Sequence, residues 1–145
     1  MLIGIDPLLP PELLCILRAM GHGDDIAIVD ANYPAANDAR RLVRLDGCTA
    51  TRALSAVVSV LPLDGYVDYP VHTMEVVGDP RAVPEIVAEF KTIVAGTHGD
   101  GIGFGTHERF AFYEAVRSAF AVVVTGERRL YGNILLKKGV IDPDV

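Results

Sequence analysis

The short apolar run Ile26-Ala-Ile-Val29 constrains this chain more than any other stretch. Gly21-His-Gly-Asp-Asp25 precedes it and Asp30 ends it. Four apolar residues between polar turns are few for a helix and leave no side for water. They predict a strand buried on both faces, the pattern of a strand inside a parallel sheet. Such a sheet needs helices to cover its faces, and the neighbouring sequence supplies them.

Pro10-Pro11-Glu12 opens the first helix, since proline suits the first turn and an acid complements the positive end. Leu13, Leu14, Ile16, Leu17 and Met20 recur at helical spacing, and Gly21 is a natural stop. Residues 32–41 are polar and turn-rich, and residues 42–45 alternate as a short strand. Residues 49–61 are expected to be a helix, with Ala53, Leu54, Val57, Val58 and Leu61 on one face and Pro62 as its stop. A strand is expected over 71–77, broken by Asp79-Pro80, and a helix over 82–95. A glycine-rich loop covers 96–106, and another helix covers 108–119. Strands at 121–124 and 134–136 complete the pattern. The expectation is an α/β fold: one layered domain over residues 1–145, with a mostly parallel central sheet flanked by helices.

A length of 145 residues with half of them hydrophobic suits one such core. The formal charge of −6 argues against broad attraction to nucleic acid or to an anionic membrane. Cys15 and Cys48 form neither a disulfide framework nor a zinc motif, and two free thiols suit a reducing cytoplasm. No basic segment leads into an apolar core at the start, and no apolar run is long enough for a bilayer, so neither export nor membrane insertion is expected.

Two segments carry chemistry. In Met20-Gly-His22-Gly-Asp a histidine lies between glycines, one short strand before Asp30. Imidazole moves its proton near neutral pH, and a carboxylate can hold it in one tautomer. A histidine in a helix-terminating turn and an aspartate capping a turn would look the same. Asp30, however, stands at the carboxyl end of a buried strand, where ligands of open parallel sheets gather. The second segment is Tyr131-Gly132-Asn133, between two strands. It offers a phenol, a backbone open to close approach, and an amide with one acceptor and two donors. Those groups suit a polyhydroxylated neutral ligand, although a plain hairpin explains them too. Arg109 opens the helix after the glycine-rich loop; it is either a solvated charge or a fork of donors for a hydroxyl.

The loop Gly99-Asp-Gly-Ile-Gly-Phe-Gly105 does not follow the dinucleotide fingerprint and no Lys-Ser/Thr follows it, so a mobile loop or lid over a site is expected instead. His72, His98 and His107 match no zinc spacing and are expected to be non-ligands.

With both segments in view, the chain resembles the RbsD/FucU family of sugar mutarotases, in particular its L-fucose branch. The resemblance runs through Leu2-Ile-Gly-Ile-Asp-Pro-Leu-Leu, Met20-Gly-His-Gly-Asp and Asp30-Ala-Asn-Tyr-Pro-Ala. It resumes at Glu108-Arg-Phe-Ala-Phe-Tyr-Glu and ends with Thr125-Gly-Glu-Arg and Tyr131-Gly-Asn-Ile-Leu-Leu-Lys-Lys-Gly-Val. The middle, 41–96, matches more loosely. The resemblance implies His22 as the catalytic proton donor and Asp30, Arg109, Tyr131, Gly132 and Asn133 as substrate-binding residues. Arginine at position 109 marks the fucose branch; the ribose pyranase branch has histidine there. It also implies ring-shaped homo-oligomers, decamers among them, with sites completed by a neighbouring subunit.

The implied activity is that of an isomerase interconverting the anomers of L-fucose by acid/base ring opening and reclosure. It needs no metal, nucleotide or redox cofactor. Asp30 would hold a sugar hydroxyl or tune His22, and Tyr131 is a candidate second proton carrier. Three alternatives stand beside this one: a D-ribose pyranase, a non-catalytic sugar-binding protein, and a metal hydrolase built on His72, His98 and His107.

Overall fold

A computed structural model describes residues 1–144. Eleven elements appear among them, and chemistry at their ends sets most of their limits. Helix α1 (Pro11–Ala19) starts on its proline, with Glu12 in the first turn and Arg18 in the last. Strand β1 (Asp25–Val29) follows the Gly-His-Gly turn. A single helical turn, α2 (Ala35–Asp38), leads into β2 (Leu42–Leu45). Thr49 caps α3 (Ala50–Val58), its side chain accepting the N–H of Arg52. Strand β3 (Val71–Met74), helix α4 (Glu85–His98) and strand β4 (Phe104–His107) come next. Glu108 caps α5 (Arg109–Ser118) by accepting the N–H groups of Phe110 and Ala111. Strands β5 (Ala121–Thr125) and β6 (Ile134–Lys137) complete the chain.

The six strands form one sheet in the order β2-β5-β1-β6-β3-β4. β1 pairs in parallel with β5, β5 with β2, and β3 with β4. Only β6 runs antiparallel, between β1 and β3. Alternation along the strands divides the core in two. Ile26 and Ile28 of β1 join Val123, Ile134 and Leu136 under α1, α3 and α4, where Leu13, Leu54 and Phe90 are fully buried. Ala27 and Val29 face the other way, with Val122, Val124 and Leu135, under Phe112 and Val116 of α5. The result is the expected layered α/β fold, with β1 and β5 covered on both sides.

Five expectations need correction. The helix expected over 49–61 ends at Val58, three residues before Leu61 and its proline. Residues 32–41 are not wholly irregular, because α2 lies among them. The strand expected over 71–77 ends at Met74; Val76 and Asp79 then pair across a tight turn in which Gly78 takes φ 81°. The helix expected over 82–95 runs from Glu85 to His98, because Pro84 disfavours helical geometry in the residue before it and Gly99, at φ 83°, provides the stop. The glycine-rich segment is not a free lid. Its first residues finish α4 and its last form β4 at the sheet edge. The glycine of that strand meets close neighbours: a Cβ on Gly105 would lie 2.7 Å from His72 Nε2.

Candidate functional site

Topology explains why distant residues meet. Parallel strands β1, β3, β4 and β5 all end on one edge of the sheet, and the antiparallel β6 begins there. Asp30 follows β1, Arg109 follows β4, and Asn133 precedes β6. A cavity of about 220 Å³ lies at this edge, lined by Asp30, Arg109, Tyr131 and Asn133 on its polar side. Met74, Val77 and Leu130 contribute an apolar wall. Such a cavity is small beside drug-sized pockets and suits a single sugar ring.

Asp30 is buried, and three hydrogen bonds define its orientation. Its backbone N–H donates to Asn133 Oδ1 at 2.9 Å, and Asn133 Nδ2 donates to its Oδ2 at 3.0 Å. The N–H of Asn32 donates to Oδ1 at 2.9 Å. Burial pushes the Asp30 carboxyl above its ordinary range; these donors pull in the opposite direction without cancelling it.

Tyr131 is held just as closely. It adopts φ 63°, the only positive φ at a non-glycine among the described residues. Such geometry costs an ordinary side chain about 1 kcal/mol and persists where surroundings enforce it. Its phenolic oxygen accepts the N–H of Val77 at 3.0 Å, which leaves the O–H available to a ligand. Gly132 beside it has no room for a side chain, since a Cβ would lie 2.8 Å from Glu127 Cγ. The Arg109 guanidinium lies 5.3 Å from the Phe110 ring centroid and 5.7 Å from that of Tyr113. Aromatic faces thus carry its planar fork at the cavity.

His22 is elsewhere. It precedes β1 while Asp30 follows it, and five extended residues separate the two ends by about 17 Å. The His22–Asp30 pair expected from their closeness in sequence therefore does not form within one chain. His22 Nε2 instead meets Asp64 Oδ1 at 3.1 Å. Asp64 is buried, and the N–H of Tyr66 donates to the same oxygen at 3.0 Å. That N–H, more than His22, holds the Asp64 carboxyl below its usual range. The result is a half-exposed imidazole on a buried carboxylate, with the Tyr66 ring centroid 5.6 Å away.

Sequence reasoning missed Asp64, which lies 42 positions from its partner in what read only as a helix-ending turn. It also missed the apolar wall of Met74 and Val77, read as part of a longer strand. Of the other histidines, His98 stands apart, its Nε2 3.1 Å from the carbonyl of Val58, while His72 and His107 stack on each other.

The profile of the RbsD / FucU transport protein family matches residues 3–141. The chain belongs to this family. It is 42% identical over 147 residues to a fucose mutarotase of Bos taurus, covering 97% of this chain and 94% of that one. A solved fucose mutarotase from Streptococcus pneumoniae, in complex with L-fucose, superposes with a TM-score of 0.90 at 40% identity, covering 97% of this chain and 100% of that one. Bacillus subtilis RbsD, solved with D-ribose, shares the family fold at a TM-score of 0.73 and 20% identity, over 92% of this chain and 95% of that one.

Proposed function

We propose that this chain is an L-fucose mutarotase, an isomerase that interconverts the α and β anomers of the sugar. The observation that carries the proposal is the convergence of Asp30, Arg109, Tyr131 and Asn133 on one small cavity with an apolar wall. Names of relatives at about twice the identity of the ribose-bound structure favour fucose over ribose.

Anomer exchange requires a proton on the ring oxygen and loss of one from the anomeric hydroxyl. The open aldehyde then rotates and recloses with the transfers reversed. Asp30, braced by Asn133, accepts a sugar hydroxyl, and Arg109 donates to others. Tyr131 is one proton carrier. His22, backed by Asp64, is the acid for ring opening and the base for reclosure. Nothing in this sequence of transfers calls for a metal, nucleotide or redox group.

Because His22 and the cavity occupy opposite edges of one sheet, we infer that a second copy supplies the imidazole. Two exposed apolar patches support that arrangement. Tyr66, Val67 and Tyr69 follow Asp64, while Val77, Phe110 and Leu130 border the cavity residues. Contact between two different faces is head-to-tail and can close into a ring, of which a decamer is one form. The same proposal assigns the protein to the cytoplasm, where the free thiols of Cys15 and Cys48 would persist.

Saturation-transfer NMR on L-fucose tests the activity directly. The expected result is anomer exchange well above the solvent rate, falling about 10²- to 10⁴-fold in His22→Ala. Exchange at the solvent rate in the wild type would leave only sugar binding. Faster pyranose–furanose exchange on D-ribose than anomer exchange on L-fucose would make the protein a pyranase.

A further inference from the structure

The segment that brings Tyr131 to the cavity is tied down two residues earlier by a single cation. The backbone N–H of Arg129 donates to Glu127 Oε1 at 3.1 Å, and its Nε donates to the same oxygen at 3.0 Å. Nη2 donates to Glu127 Oε2 at 3.1 Å. Nη1 reaches Glu89 Oε1 on α4 at 2.7 Å. One guanidinium therefore spans two carboxylates on different elements, and its planar fork makes that geometry specific.

Glu127 is the inner half of this clamp. Its side chain is 3% exposed, so its charge has little water to rely on. Removing the partner of a buried charge is strongly destabilising locally, which gives the chain a reason to keep Arg129 over it. The Arg129 hydrogen bond holds the Glu127 carboxyl below the usual range. Glu127 also reaches both sides of the cavity. Its carbonyl accepts the N–H of Ala31, next to Asp30, at 2.9 Å. Its Cγ forms the wall against which Gly132 rests. Displacing Glu127 would thus shift the backbone on each side of Tyr131 and the residue after Asp30.

We propose that Arg129, gripping Glu127 and Glu89, is a positioning residue for Tyr131, holding residues 127–132 in the turn where Tyr131 takes its left-handed φ and presents the phenol to the sugar. The proposal rests on the assignment of Tyr131 as a group that acts on the substrate. Arg129 itself does not line the cavity. A small displacement of an acting group has a large effect: about 1 Å can cost on the order of 100-fold in rate.

The test combines rates, coupling and a spectroscopic readout on the full chain. Arg129→Ala is expected to slow L-fucose anomer exchange about tenfold. Arg129→Lys should recover little, since an ammonium cannot span both acids. In a Tyr131→Phe background, Arg129→Ala should cost less than about twofold, because two residues acting through one group are not additive. Glu89→Gln loosens only the outer grip and serves if Arg129→Ala fails to fold; it should slow exchange by a smaller factor and should likewise have no added effect on Tyr131→Phe. Selectively labelled Tyr131 ring resonances should move or broaden in Arg129→Ala and in Glu89→Gln. Unchanged Tyr131 resonances would overturn the proposal, as would full multiplication of the losses in the double variants. Wild-type protein that leaves fucose unexchanged would overturn the mutarotase assignment instead, while the Tyr131 resonances still decide whether the clamp holds the ring.

Discussion

Asn133 shows how one side chain can shape a site. Its amide accepts the N–H of Asp30 and donates to the Asp30 carboxylate, joining the end of β1 to the start of β6. Its short side chain has one acceptor and two donors, so it can do both at once. Asn133→Ala would leave a buried N–H and a buried carboxylate oxygen each without its partner. The expected loss is about 1–3 kcal/mol of stability, read as a lower urea midpoint with an unchanged slope, together with weaker sugar binding. Asp30 and Tyr131-Gly132-Asn133 were legible as polar groups at strand ends. The hydrogen bonds that unite them were not, because they span 103 positions. Asp64 was illegible for the same reason.

Elements bring these residues together by direction. Were β6 parallel to its neighbours, Asn133 would stand at the far edge of the sheet, with His22 rather than with Asp30. The sequence displayed the helices α1 and α5 and the buried strands β1 and β5 clearly, because proline, acidic caps and continuous apolar runs mark them. It hid β4, whose short Phe-Gly-Thr-His run carries a glycine that weakens a strand pattern and sits among other glycines. Glycine is needed there because Tyr69 and His72 crowd the strand. At this edge the His72 and His107 rings stack with centroids 4.3 Å apart and planes 9° from parallel. Burial, then the neighbouring His107, pushes the His72 imidazole below its ordinary value. Asp25 of β1 opposes this shift and Lys137 of β6 adds to it; the Phe112 ring of α5 lies edge-on to His107. The folded edge therefore favours neutral His72. Its stabilising effect is fully present above the unfolded value of 6.5 and is lost as pH falls through the lower folded value. Hydrogen-exchange protection of the β4 amides, corrected for intrinsic rates, should hold above pH 7 and decline as pH falls below 6.5. His72→Gln should flatten that decline.

At the scale of the whole molecule, the proposed mechanism needs both edges of the sheet in one place. A single chain has them about 17 Å apart along β1. If a second copy closes the gap, inactive variants should complement each other. Co-expressed His22→Ala and Tyr131→Phe chains, each strongly slowed alone, should assemble sites that draw an intact His22 from one subunit and an intact Tyr131 from its neighbour. Random mixing makes about one site in four complete, so about a quarter of wild-type exchange should return. Failure to recover activity in verified mixed oligomers would overturn the shared site.

The amino-acid sequence by itself determined the layered α/β class, the start of α1 at its proline and of α5 after its acidic cap, and the identity of the polar residues at the strand ends. These are local properties, written in periodicity and in the conformational limits of single residues. Only the tertiary structure decided that β6 turns back between β1 and β3, that His22 rests on Asp64 instead of Asp30, and that the glycine-rich segment supplies the edge strand. Those outcomes depend on which distant strands pair and in which direction. Hydrogen bonds and packing across the whole chain settle that, and no short stretch of sequence contains it.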